Sequence, residues 1–163
     1  IQLARKEFTY LQGASQAGAI VDIVEGDARL ALEKQSPQQF DLLVVDAFTS
    51  DAIPVHLLTR EALIVYLHHL ARGGIVAFHV SNRYLNLQPV VKQLAQMQGL
   101  QALWISDERA ELYLSRTDYV LVTQDPTMES KYPFAGRVTP ITTKNALKPW
   151  TDDNNNLFDI FKF

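Results

Sequence analysis

No cysteine occurs among the 163 residues. That removes disulfides, thiolate metal sites and cysteine nucleophiles together, and leaves the redox compartment undetermined. Long apolar runs are missing too: none approaches the roughly 20 residues that span a bilayer, and no signal-peptide pattern opens the chain. Basic charge is not in excess. The formal net charge is −3, so no global positive field points to nucleic acid or an anionic membrane surface as a partner. The four histidines make no metal pattern, because His68 and His69 are adjacent and no H-x-x-x-H spacing occurs. Glycine is sparse, with seven residues and no G-x-G among them. The chain also opens on Ile1 rather than Met, directly in a helix-like pattern, and the expectation is a piece of a longer protein.

What remains is an ordinary globular composition, 47% hydrophobic and 20% charged, on a length sufficient for one domain with a real core. Apolar spacing predicts a helix from Ile1 to Leu11 with Gly13 as its C-cap. Ala19–Val24 reads as a strand closed by Gly26-Asp27, and Ala28–Lys34 as a short helix. Asp41–Asp46 is the next strand, and its four consecutive branched residues, Leu42 to Val45, read as buried on both faces. Thr59–Ala71 is predicted helical, with Thr59 as N-cap and Gly73-Gly74 as its stop. Ile75–Val80 is a strand, Leu87–Gln98 a helix with Pro89 in its first turn, and Leu100–Ile105 and Asp118–Thr123 the last two strands. Strand–helix alternation through Gly99 predicts an α/β domain with a mostly parallel sheet, helices on both faces and an antiparallel hairpin at one edge. Residues 1–123 form that domain. Residues 124–163, with Pro126, Pro133, Pro140 and Pro149, read as a loop-rich tail with a short helix near Met128 and a closing helix over Asn156–Phe163.

The chemistry-bearing stretch is Phe40 to Pro54, FDLLVVDAFTSDAIP. In open α/β sheets the carboxyl ends of the strands form the ligand crevice. Asp46 stands at that edge and Asp51 in the loop beside it. Each has a plainer reading, Asp46 as a turn cap and Asp51 as an Asx-turn residue. Asp27 is equally placed to cap the helix that follows. His79, at the end of its strand, points to the same crevice, and a lone strand-end histidine is also a common structural residue. Ser81, Asn82 and Tyr84 either line a pocket or form the loop. Trp150 to Asp153 reads as a lid or as a helix start capped by Thr151 or Asp152. Tyr113, Tyr119 and Trp104 read as core or edge-strand residues.

Several separated blocks, Gly26-Asp27-Ala28, VVDAFTSDAIP, GGIVAFHVSNRY and WTDD, occur in an order that resembles the spermidine synthase-like family. That family has the Rossmann-like fold of class I S-adenosylmethionine-dependent transferases. The blocks look like those of bacterial fused proteins of this kind, some of which carry an N-terminal multi-span membrane region. The resemblance implies transfer of an aminopropyl group from decarboxylated S-adenosylmethionine to a diamine such as putrescine, with no metal. It makes Asp46 the base and places Asp27 on the adenine amino group with Ala28 leaving room for the ring; Asp51, His79, Asn82 and Tyr84, from their places beside that edge, are the expected substrate-binding residues. A soluble cytoplasmic domain, in a parent that is itself either soluble or membrane-attached, is the expected setting.

The departures are specific. The family's segment places a second aspartate three residues after the first; here Thr49 holds that position and Asp51 follows two later. The family's glycine-rich loop and first two strands have no counterpart. In its sheet order, 3-2-1-4-5-7-6, those two strands lie in the middle, so Ala19–Val24 and Leu42–Val45 either pair directly or leave bare edges; the expectation is a dimer or a swap through that gap, or missing strands that sit on an absent segment. Two alternatives stay open: a methyltransferase of the same fold using S-adenosylmethionine itself, and a non-catalytic truncated domain.

Overall fold

A computed structural model describes residues 6–47, 54–108, 116–143 and 147–162. Asp51, Thr49, Tyr113 and the opening of the first predicted helix lie outside the described residues. The chain forms α1 (Tyr10–Gln16), α2 (Ala28–Glu33), β1 (Phe40–Val45), α3 (Arg60–His68), β2 (Leu70–His79), α4 (Gln88–Met97), β3 (Gln101–Asp107), β4 (Thr117–Thr123) and β5 (Val138–Thr139). One-turn 3₁₀ segments cover Val55–Leu57, Met128–Ser130 and Leu157–Ile160. No helix among the described residues is long and apolar enough to cross a membrane.

The sheet is mixed, with strand order β1-β2-β4-β3-β5. β1 and β2 are parallel, and β4 runs antiparallel to both β2 and β3, so β1, β2 and β3 point the same way. β5 adds an antiparallel edge to β3. The first four strands stand in the order that the resemblance expects for its strands 4-5-7-6. The predicted antiparallel hairpin is β3–β4, with β4 inserted against β2.

Alternation along the strands sorts the side chains onto two faces. Val76, Phe78, Val120 and Val122 face α3 and α4, where Leu63, Tyr66, Val90, Val91 and Leu94 complete the main core. Ile141, Trp150 and Ile160 of the tail join the same core. Ala77, Leu103 and Leu121 face the other way, under Met128 and Phe134 of the segment after β4. Local rules account for the helix starts. Asp27 caps α2 by accepting from the Leu30 N–H, and Thr59 caps α3 by accepting from the Ala62 N–H. Pro89 sits in the first turn of α4, where its missing N–H costs nothing.

Four expectations need correction. Ala19–Val24 forms no strand: it pairs with nothing and leaves Ile20 99% and Val24 57% exposed. A strand needs a neighbour for its backbone groups, and β2 is the only one that β1 has among the described strands. β1 also buries only one face, Leu43 and Val45, while Leu42 and Val44 stay half exposed. The predicted helix Ile1–Leu11 is broken at Phe8 and Thr9, and Gly13 is no C-cap: it lies inside α1, which starts afresh at Tyr10, ends at Gln16 and is followed by Gly18 at φ +87°.

Gly73-Gly74 do not stop α3 either. The helix ends at His68, and Leu70 already pairs with Phe40. The two glycines lie inside β2, where the register shifts between Phe40 and Leu42. Gly73 has φ +82°, and a Cβ on Gly74 would stand 2.7 Å from the Phe40 carbonyl oxygen. They permit close strand approach at an irregularity rather than ending a helix.

Candidate active site

Parallel pairing of β1 with β2 brings the carboxyl ends of both strands together, with Val45 opposite Phe78. The next residues along, Asp46 and His79, therefore meet. Asp46 Oδ1 lies 2.8 Å from His79 Nδ1. The other ring nitrogen, Nε2, is 2.8 Å from Ser81 Oγ, which itself accepts the Asp118 N–H at 2.7 Å. Since Ser81 already accepts one hydrogen, its own proton is free to go to Nε2. The pattern is then satisfied by an imidazole carrying its proton on Nδ1 and donating it to Asp46. Tyr119, opposite His79 in the β2–β4 register, stacks on the ring with centroids 4.9 Å apart and planes 23° apart. Burial, with the Asp46 carboxylate as a lesser cause, pushes the Tyr119 hydroxyl above its usual pKa. Asp46 keeps half of its side chain exposed and has Oδ2 without a bond among the described residues.

A second constellation lines a cleft of about 440 Å³ formed by Asp27, Arg29, Glu33, His56, Thr59 and Asp152 with their neighbours. Asp27 Oδ1 holds the helix cap, and Oδ2 lies 2.8 Å from His56 Nε2. The Leu30 N–H first, and His56 second, hold the Asp27 carboxyl below the usual carboxylate range. Ala28, the first residue of α2, is exposed beside it. Arg29 is the hub. Its Nη1 and Nη2 donate to both oxygens of Asp152 at 2.7 Å, its Nε to Glu33, and Nη1 also to the His56 carbonyl and Thr59 Oγ1. The bidentate contact with Arg29 lowers the Asp152 pKa to about 2 and raises that of the guanidinium.

The predicted site residues thus fall into two groups. Asp46 and His79 are brought together, whereas Asp27 lines the second cleft, with Ala28 next to it in sequence but not in the lining. Asn82 Oδ1 accepts the Tyr84 and Leu85 N–H groups and closes an Asx turn. Tyr84 is half exposed beside Arg83. Trp150–Asp153 is not a helix start. Trp150 is buried at 2% exposure, its carbonyl accepts the Arg60 N–H, and Asp152 is drawn to Arg29, while Asn156 caps the later 3₁₀ turn. Sequence reasoning missed Arg29, His56 and Tyr119 as members of these groups. Only Tyr119 carried a signal, its place opposite His79 once the last strand is paired with β2.

No family model matches the chain, and no curated protein matches it. Among solved structures it is similar to a probable spermidine synthase from Corynebacterium glutamicum, at 21% identity and a TM-score of 0.46, over 69% of this chain and 43% of that one. It is also similar to spermidine synthase from Thermotoga maritima, at 16% identity and a TM-score of 0.48, over 77% of this chain and 42% of that one. The chain spans less than half the length of either.

Proposed function

We propose that this chain carries the amine-activating part of a spermidine synthase-like transferase, which moves an aminopropyl group from decarboxylated S-adenosylmethionine to a polyamine precursor. The observation that carries the reading is the Asp46–His79 pair at the carboxyl ends of β1 and β2, with Oδ1 bonded to the ring and Oδ2 open. An amine attacks carbon only as the free base, so a carboxylate that takes its proton raises the reactive fraction. In the proposed step the amine nitrogen forms a bond to the propyl carbon beside the sulfonium. The C–S bond breaks with its electron pair going to sulfur, methylthioadenosine leaves, and the ammonium proton passes to Asp46 Oδ2. Asp27, with Ala28 exposed next to it, supplies an acceptor for an adenine amino group in a cleft of suitable size. Asp51, Asn82 and Tyr84 are proposed on the amine side from their places in sequence just after β1 and β2. A second copy of the chain is the proposed partner for the outer edge of β1.

Calorimetry with S-adenosylmethionine, its decarboxylated form and methylthioadenosine separates the readings. Preference for the carboxylated donor favours a methyltransferase, and no binding by any of the three favours a non-catalytic module. With putrescine and decarboxylated S-adenosylmethionine, Asp46→Asn is expected to lower turnover by about 10²- to 10⁴-fold while leaving methylthioadenosine affinity unchanged. Undiminished turnover removes Asp46 as the base.

A further inference from the structure

Asp27 has no idle oxygen. Oδ1 is committed to the α2 cap, and Oδ2 carries His56 Nε2 at 2.8 Å. His56 reaches it from a short segment with little freedom. Leu57 and Leu58, next in sequence, are buried at 3% and 0% exposure, and Arg29 donates to the His56 carbonyl at 2.9 Å. The backbone is therefore held from His56 onward, while the imidazole itself is half exposed and lines the cleft. A swing of that half-exposed ring clears Oδ2.

We propose that His56 is a proton-dependent plug of the nucleoside cleft, closing it by occupying Asp27 Oδ2 and opening as the ring loses its charge. This rests on the reading of Asp27 as the adenine contact and adds a regulation to it. Among the described residues, the charged groups that line the cleft with the ring are Asp27 and Glu33 with Arg29 from α2 and its cap, and Asp152 from the tail segment. Arg29 is bonded to both Asp152 and Glu33, so Asp27 is the carboxylate left to pair with an imidazolium. A neutral ring holds Oδ2 by an N–H bond alone; a charged one adds an ion pair. A base amino group must displace the second more often as the pH falls.

The test is methylthioadenosine affinity between pH 5.5 and 8, measured by calorimetry on the whole chain. The wild-type affinity is expected to fall about two- to fivefold toward the acid end, the range a half-exposed ion pair supports. His56→Ala should bind more tightly than wild type at pH 5.5 and show a flat profile. His56→Gln, which keeps a neutral donor of similar reach, should also be flat. Binding by His56→Ala alone supports the plug in its strongest form. A flat wild-type profile, or an unchanged slope in both variants, overturns the plug and leaves the nucleoside reading standing. No binding by wild type or either variant at any pH overturns both.

Discussion

The two flanks of the β1–β2 pair contrast sharply. On one side, β2, β4 and β3 are paired along their lengths, and Val76, Val120 and Val122 are fully buried. In the chain leading up to and through β1, by contrast, α1 and α2 contribute no buried residue, and Ile20, Val24, Leu30, Leu42 and Val44 are each half exposed or more. The residue types are much the same. AIVDIV is as strand-prone as DYVLVT, yet only the second becomes a strand. Strand propensity is a matter of about 1 kcal/mol and depends on context, whereas a neighbouring strand supplies both the ladder and the surface to bury against. Apolar sequence is buried where the topology provides a partner.

The largest test of this contrast is in the core. Phe78→Ala is expected to destabilise the chain by about 3–5 kcal/mol, because Phe78 is 1% exposed and packs against Tyr66. Ile20→Ala should stay within about 0.5 kcal/mol. Urea denaturation of both variants measures the difference, and comparable losses would erase the distinction between the flanks.

A smaller effect belongs to the Arg29–Asp152 clamp, which ties the tail to α2. The Asp152 pKa is depressed to about 2 in the folded chain, below the about 3.9 of a free aspartate. A depressed carboxyl contributes stability that is present above the unfolded value and lost as pH falls through the folded one. Asp152 is 40% exposed, so solvent screening holds the contribution to about 1 kcal/mol. Asp152→Asn should therefore cost about that much above pH ~5, with the gap to wild type closing toward pH ~2. A gap independent of pH would mean that the clamp acts through shape alone.

The least effect on monomer stability is expected at the open edge. Leu42→Lys should change unfolding by under about 0.5 kcal/mol but abolish concentration-dependent dimers in sedimentation, since a lysine on an exposed edge opposes strand addition. A wild-type chain that stays monomeric at every concentration removes the proposed self-association.

Elements governed by neighbours in sequence were legible. The caps at Asp27 and Thr59 and the helix after Leu87 follow from residues within one turn. So does the 3₁₀ turn at Met128. The misjudged stretches are those whose fate depends on distant chain. Gly73-Gly74 resembled a helix stop because the Phe40 carbonyl that crowds Gly74 is 34 residues away in sequence, by difference of their numbers. Trp150–Asp153 resembled a helix start because Arg29, which claims Asp152, is 123 residues upstream.

The same division runs through the candidate site. By itself the sequence placed Asp46 and His79 each at or within one residue of a strand's carboxyl end, from apolar runs of limited length. That they meet at 2.8 Å was decided by the parallel register of β1 and β2. Asp27 was legible as a cap and as a candidate nucleoside contact, but His56 on its second oxygen was not. Local sequence sets where an element starts and stops, through bonds that span a few residues. Which side chains then share a cleft depends on strand order and register, which only the folded sheet specifies.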